Sequence, residues 1–207
     1  MSDDQRTEQW FADRLGKVTA SKVADLMAKT KSGYSTSRDN YMAQLVVERI
    51  TNTKAESYSN AAMEWGTTQE PFARAAYEAF TGFMVEEVGF VPHPTIAWAG
   101  ASPDGFVEHD GLVEIKCPNT ATMIDTLLTS KVSQKYYIQM QMQMACTNRA
   151  WCDYAVFDPR MPAKAQLFVK RVARDFAFIA EMEAEIINFL AEVDVQVSQL
   201  TQLIEGK

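Results

Sequence analysis

The stretch from Asp104 to Pro118, DGFVEHDGLVEIKCP, limits the possible folds of this chain more than any other. Leu112 to Lys116 is a strand-forming run cut short two residues later by Pro118, which has no N–H to give a sheet ladder. A short polar Gly-containing link, His109-Asp110-Gly111, separates it from Phe106-Val107, and that spacing predicts a β-hairpin. Alternation along the strand puts Glu114 and Lys116 on one face. Asp104 stands just before the first strand and ten residues before Glu114. A closed hairpin returns it beside Glu114, so two carboxylates and one ammonium meet at a strand end, with the Ile115 carbonyl at the same edge.

The surrounding pattern sets the fold class. Helical spacing is read in TASKVADLMAK, in Tyr41 to Ile50 and in Glu64 to Phe80, with polar loops KTKSGYSTSRDN and TNTKAESYSN between them. Phe83 to Val91 and Ile96 to Gly100 read as strands, Thr120 to Ser130 and Ser133 to Ala145 as helices, Trp151 to Phe157 and Gln166 to Val172 as strands. A long helix runs from Asp175. This order predicts an α/β architecture, a mixed twisted sheet flanked by helices. With 207 residues, 47% hydrophobic and 23% charged, and no repeat or Pro/Gly-rich linker, one domain spanning 1–207 is expected. In the final helix Ile179, Met182, Ile186, Phe189, Val193, Leu200 and Leu203 recur by threes and fours, interrupted at Gln196. Such a stripe predicts a helix lying on the sheet, or a subunit or partner contact.

Net charge is −7, which taken alone disfavours a polyanionic partner. The distribution is uneven. Arg14 to Lys54 holds eight basic residues against three acidic ones, and Asp175 to Lys207 holds seven acidic residues against one basic. Two readings follow: the basic segment faces a polyanion and the acidic helix faces solvent or another partner, or the charge is scattered and solvated. No run of about 18 apolar residues exists and the start is acidic and polar, so no membrane association and a cytoplasmic location are expected. Cys117, Cys146 and Cys152 lack paired metal-ligand spacing and read as reduced and packed.

Two carboxylates and a backbone carbonyl suit a hard divalent cation, Mg²⁺ or Mn²⁺, better than zinc. A lysine beside the attacking water has a use no carboxylate shares, since it stabilises hydroxide or the charge developing on phosphorus. Gln139, Gln141 and Gln143 alternate with methionine in YIQMQMQM, and on a helix only one of the three is expected to face the site. Other chemistries lack their parts. His93 and His109 have no ligand or triad spacing, and no GxxxxGK[ST] phosphate loop is present.

RLGKVTASKVADLM, MEWGTTQEPFARAAYEAFTG, SPDG, EIKCP, YIQMQMQM and YAVFDPRM occur in this order between Trp10 and Val172. In these motifs the chain resembles the phage lambda-type alkaline exonucleases, the YqaJ viral recombinase family. The resemblance implies a restriction-endonuclease-like PD-(D/E)XK core. It also implies a Mg²⁺-dependent enzyme, with two ions, that digests one strand of linear duplex DNA from its 5′ end to mononucleotides. A 3′ overhang remains for a single-strand annealing protein. It implies further a homotrimer ring at double-stranded DNA ends, in a phage or prophage protein acting in a bacterial host. Asp104 and Glu114 would be metal ligands, Glu70 would serve the second metal, Lys116 would assist the water, and Gln139 would complete the site. Arg14, Ser21 and Ser102 match positions that cradle the 5′-phosphate. Lys31 is grouped with them for the 5′-phosphate and stands where arginine is frequent, keeping the charge without the bidentate fork. Met63 matches an apolar strand-separating wedge, against which stands a core gap-filler. The start of the chain and the stretch after Val172 do not match. Two other readings remain: a PD-(D/E)XK endonuclease of restriction or repair type, and a non-catalytic DNA-annealing module.

Overall fold

The computed structural model describes residues 5–31, 33–55 and 60–206. The acidic start at residues 1–4, parts of both polar loops (Ser32 and residues 56–59) and Lys207 lie outside the described residues. The chain opens with α1 (Glu8–Arg14), β1 (Val18–Thr19), α2 (Val23–Met27), the short pair β2 (Lys29–Thr30) and β3 (Gly33–Tyr34), and α3 (Thr36–Thr51). Then come α4 (Ala61–Thr81), β4 (Val85–Glu86), β5 (Val91–Pro92), β6 (Ala99–Ala101), β7 (Gly105–Val107) and β8 (Gly111–Lys116). Helices α5 (Thr120–Thr129) and α6 (Gln134–Thr147), strands β9 (Trp151–Phe157) and β10 (Leu167–Ala173), and α7 (Phe176–Ile204) complete it.

The hairpin forms as the sequence predicts and sits inside a five-stranded mixed sheet ordered β10-β9-β8-β7-β4. Strands β8 and β9 are parallel, and the other neighbours are antiparallel. Alternation divides β8 between two cores. Val113 and Ile115 pack with Ala73 and Tyr77 of α4, whereas Leu112 packs on the other face with Met123 of α5 and Met140 and Met144 of α6. Glu114 and Lys116 share the Leu112 face, under α6.

Several local expectations are corrected by tertiary pairing. The segment Phe83 to Val91 is not one strand: Val85-Glu86 pairs with β7 in the large sheet, while Val91-Pro92 pairs with β6 in a small sheet ordered β1-β6-β5. TASKVADLMAK is helical as α-helix only over Val23–Met27. Val18 and Thr19 are drawn into parallel pairing with Ala99 and Gly100, where β-branched residues fit a pleated surface. The loop KTKSGYSTSRDN contains the β2-β3 pair and the first turn of α3.

Helix α7 does not lie on the sheet. Its stripe of Ile179, Met182, Ile186, Phe189 and Val193 is buried against Leu26 of α2, Tyr41 and Leu45 of α3 and Met142 of α6, because α5 and α6 already cover that sheet face. Leu200 and Leu203, farther along the stripe, are exposed. The charge asymmetry also resolves within the chain. Glu192 takes Arg38 in a bidentate pair at 2.8 Å on both nitrogens, Glu185 takes Lys29 at 2.7 Å, and Asp194 takes Arg49 at 2.5 Å. The basic segment is therefore partly neutralised by α7 rather than free as a whole to face a polyanion. Among the described residues no helix is long and apolar enough to cross a membrane.

Candidate active site

The register of the hairpin builds the site. Gly105 pairs with Val113, and one further residue in each direction sets Asp104 across from Glu114. Asp104 Oδ2 accepts the Ile115 N–H at 2.6 Å. The Glu114 side chain is fully buried and its carboxylate is held by three donors. Gln139 Nε2 donates to Oε1 at 2.6 Å, Gln143 Nε2 to Oε2 at 2.5 Å, and the Lys116 ammonium pairs with Oε1. Two of the three glutamines thus face the site, not one, since residues four apart share a helix face. Gln141 points elsewhere, donating to the Ala173 carbonyl at 2.9 Å and accepting the Asp175 N–H at 2.9 Å, which ties α6 to the start of α7. Gln143 is the functional-site residue that sequence reasoning missed, and its i+4 spacing from Gln139 was the available signal.

Glu70 reaches the cluster from the opposite sheet face. It precedes Ala73 and Tyr77 by one and two helical turns, so the stripe that seats α4 on the sheet carries Glu70 to the sheet end. There it accepts from Arg6 Nη2 at 2.6 Å and lies 3.6 Å from Arg74. Burial, with the Glu114 and Glu70 charges adding and Lys116 opposing, pushes the Asp104 carboxyl well above the usual carboxylate range. Burial works against the Lys116 ammonium, but Glu114 and Asp104 outweigh it and hold the lysine protonated. Among the described residues no three His, Cys, Asp or Glu side chains already form a metal cluster. The donor set nonetheless fits a hard divalent cation. It offers carboxylate oxygens and the Ile115 carbonyl, and crowding of negative charge on Asp104 is what such a cation offsets. Burial, reinforced by Glu70 and Asp104, pushes the Cys117 thiol up to about 12, which favours the protonated thiol over the nucleophilic thiolate.

A cavity of about 930 Å³ opens onto this cluster, lined by Glu70, Asp104, Ile115, Lys116 and Gln139 together with Ser21, Met63, Trp65 and Arg160. A second cavity of about 500 Å³ shares Arg6, Glu70 and Asp104 with it. The parallel pairing of β1 with β6 brings the ends of both strands, and so Ser21 and Ser102, to one edge. Arg14 Nη1 donates to Ser102 Oγ at 2.9 Å, as does Trp10 Nε1 at 2.9 Å, and the guanidinium lies 4.0 Å from the Trp10 ring centre. Burial lowers the Arg14 pKa to about 10. Gly16, at φ +67°, makes the left-handed turn that carries the chain from α1 into β1 and so places Arg14. Lys31 stands apart from both cavity linings, exposed at the turn between β2 and β3. Met63 is 55% exposed on the first turn of α4 and lines the large cavity, which removes the gap-filler reading.

A mixed sheet that ends in paired carboxylates and a lysine, with helices on both faces, is the restriction-endonuclease-like arrangement expected from the motifs. Residues 9–150 match the YqaJ-like viral recombinase domain, and the chain belongs to that family. It is similar to an alkaline exonuclease, LHK-Exo, from Laribacter hongkongensis, at 52% identity and TM-score 0.90, covering 97% of this chain and 99% of that one. The same values hold for LHK-Exo in complex with dAMP. A phage-related exonuclease from Haemophilus somnus 129PT shares the fold at 12% identity and TM-score 0.69, over 89% of this chain and 96% of that one. No curated protein matches. Likeness to an alkaline exonuclease over nearly the whole chain supports a nuclease.

Proposed function

We propose that this protein, acting as one domain over 1–207, is a Mg²⁺-dependent exonuclease. It digests one strand of linear duplex DNA from the 5′ end to mononucleotides and leaves a 3′ overhang for an annealing protein. The observation that carries this reading is the placement of Asp104, Glu114 and Lys116 at one strand end, beside a cavity of about 930 Å³ that Asp104 and Lys116 line. Likeness to a protein that has been captured with dAMP supports a nucleotide as product.

Asp104, Glu114, Glu70 and the Ile115 carbonyl would hold two Mg²⁺ ions, with Mn²⁺ able to substitute. When bound, the ions polarise the scissile phosphate and lower the pKa of water. The chain's own contribution is positioning and charge. Gln139 and Gln143 hold the Glu114 carboxylate from α6. Lys116, kept protonated by its carboxylate neighbours, presents an ammonium where negative charge grows on the phosphorus oxygens. Arg14, Ser21 and Ser102 receive the 5′-phosphate, Lys31 contacts the duplex from its hairpin turn, and Met63 parts the terminal base pair as an apolar wedge. A homotrimer ring around the duplex is part of this proposal.

Linear duplexes with 5′-phosphate and closed circles, each with Mg²⁺ or with chelator, test it. Mononucleotides should appear from linear DNA with Mg²⁺ alone, and Asp104→Asn, Glu114→Gln and Lys116→Ala should each remove most turnover while the fold persists. Cleavage of closed circles would shift the reading to an endonuclease, and metal-independent annealing without cleavage would shift it to a binding module.

A further inference from the structure

The motif FDPRM at the end of β9 has no part in the catalytic cluster, yet it builds a rigid cationic feature beside it. Asp158 is fully buried. Its carboxylate accepts Thr120 Oγ1 at 2.7 Å, the Arg160 backbone N–H at 3.0 Å, Arg160 Nε at 2.7 Å and Arg160 Nη2 at 3.0 Å. Arg160 Nη2 also donates to the Pro118 carbonyl at 3.1 Å, and Pro118 follows Lys116 by two residues. The guanidinium lies 4.4 Å from the Trp65 ring centre, a cation–π contact across to α4. One arginine is thus fixed by the exit of β8, the start of α5, the end of β9 and the first turns of α4.

These contacts occupy Nε and Nη2. Nη1 makes no hydrogen bond among the described residues, the Arg160 side chain is 44% exposed, and it lines the large cavity with Trp65, Lys116, Thr122 and Lys135. A brace for the Asp158 turn needs only the nitrogens already used. The remaining edge of the fork is a donor pair held in place before any ligand arrives, so little side-chain entropy is lost on binding. Glu70 and Asp104 line the same cavity and repel a polyanion, so a strand entering needs cations there as well.

We propose that Arg160, stacked on Trp65, is a clamp for one backbone phosphate of the DNA strand in the large cavity. The inference rests on the nuclease reading and adds to it a phosphate-binding residue distinct from Arg14, Ser21 and Ser102. The clamp reads charge and not base identity.

The test is binding of the full-length protein to labelled linear duplexes with Ca²⁺ in place of Mg²⁺, over a range of NaCl, with thermal melts of every variant. The salt slope of Arg160→Gln should be smaller than wild type by about one, with affinity reduced roughly tenfold equally on unrelated sequences. In cleavage assays KM should rise while kcat stays within about twofold, a split that loss of a structural brace would not produce. An unchanged slope in folded Arg160→Gln overturns the clamp and leaves the nuclease reading intact. Failure of the wild type to bind or cleave linear duplex overturns both. Should Arg160→Gln not fold, duplexes with one neutral methylphosphonate at successive positions near the 5′ end decide the matter. A position whose neutralisation weakens wild type clearly more than Arg160→Lys, whose single ammonium cannot hold Asp158 and a phosphate together, supports the clamp, and its absence overturns it.

Discussion

Replacing Gln143 by methionine isolates the hold of α6 on the buried Glu114. The side chain is fully buried, so a methionine of similar length keeps the packing and removes the amide. What is lost is the 2.5 Å bond to Glu114 Oε2 and a weak 4.0 Å contact that Gln143 Oε1 accepts from Cys152 Sγ; Gln139 and Lys116 remain on Glu114 Oε1. A hydrogen bond to a charged group contributes about 1.5–3 kcal/mol, so a loss of about 2 kcal/mol is expected in the metal-free protein. For a chain of this length that lowers Tm by about 4–8 °C. The assay is urea denaturation in chelator of wild type, Gln143→Met, Glu114→Gln and the double variant. A neutral amide at position 114 accepts roughly half as strongly as the carboxylate, so the cycle should show a coupling of about 1–2 kcal/mol. Calorimetric Ca²⁺ affinity should fall about 10- to 100-fold in Gln143→Met, as for partners that orient metal ligands. Strict additivity in the cycle, or unchanged cation affinity, would refute the reasoning.

Asp104, with its carboxyl pushed up by burial and by Glu114 and Glu70, binds a proton more tightly folded than unfolded. In chelator its contribution to stability is therefore complete below the ordinary carboxylate pKa and is lost as pH rises through the raised folded value. The stability difference between wild type and Asp104→Asn should accordingly shrink or reverse as pH rises from about 4, and a difference independent of pH would count against the crowded site. Met63→Ala, at an exposed position, should change stability by no more than about 0.5 kcal/mol while slowing digestion of fully paired ends relative to pre-frayed ends. Equal slowing on both would remove the wedge. Arg14→Ala should erase a preference for 5′-phosphate over 5′-hydroxyl ends, and a wild type without that preference would argue against the pocket.

The hairpin and the convergence of Asp104, Glu114 and Lys116 were legible because the period of a strand and the length of a turn are local properties, visible within about a dozen residues. So was the burial of one face of α7, which follows from its 3.6-residue spacing alone. The partner of that face was not legible. Which surface receives an apolar stripe depends on which surfaces are already covered, and α5 and α6 had taken the sheet. For the same reason Phe83 to Val91 reads as one strand although its two ends belong to different sheets. The pairing of Lys29, Arg38 and Arg49 with α7 was hidden by sequence separations of roughly 150 residues. The sequence by itself determined the chemical character of the site, because residue type and strand register are written in the chain. The tertiary structure alone decided what surrounds that site: two glutamines rather than one on Glu114, Glu70 arriving from the far sheet face, and Arg160 fixed beside Lys116. Each depends on contacts between elements distant in sequence, and those contacts are settled only when all the elements compete for the same buried surface.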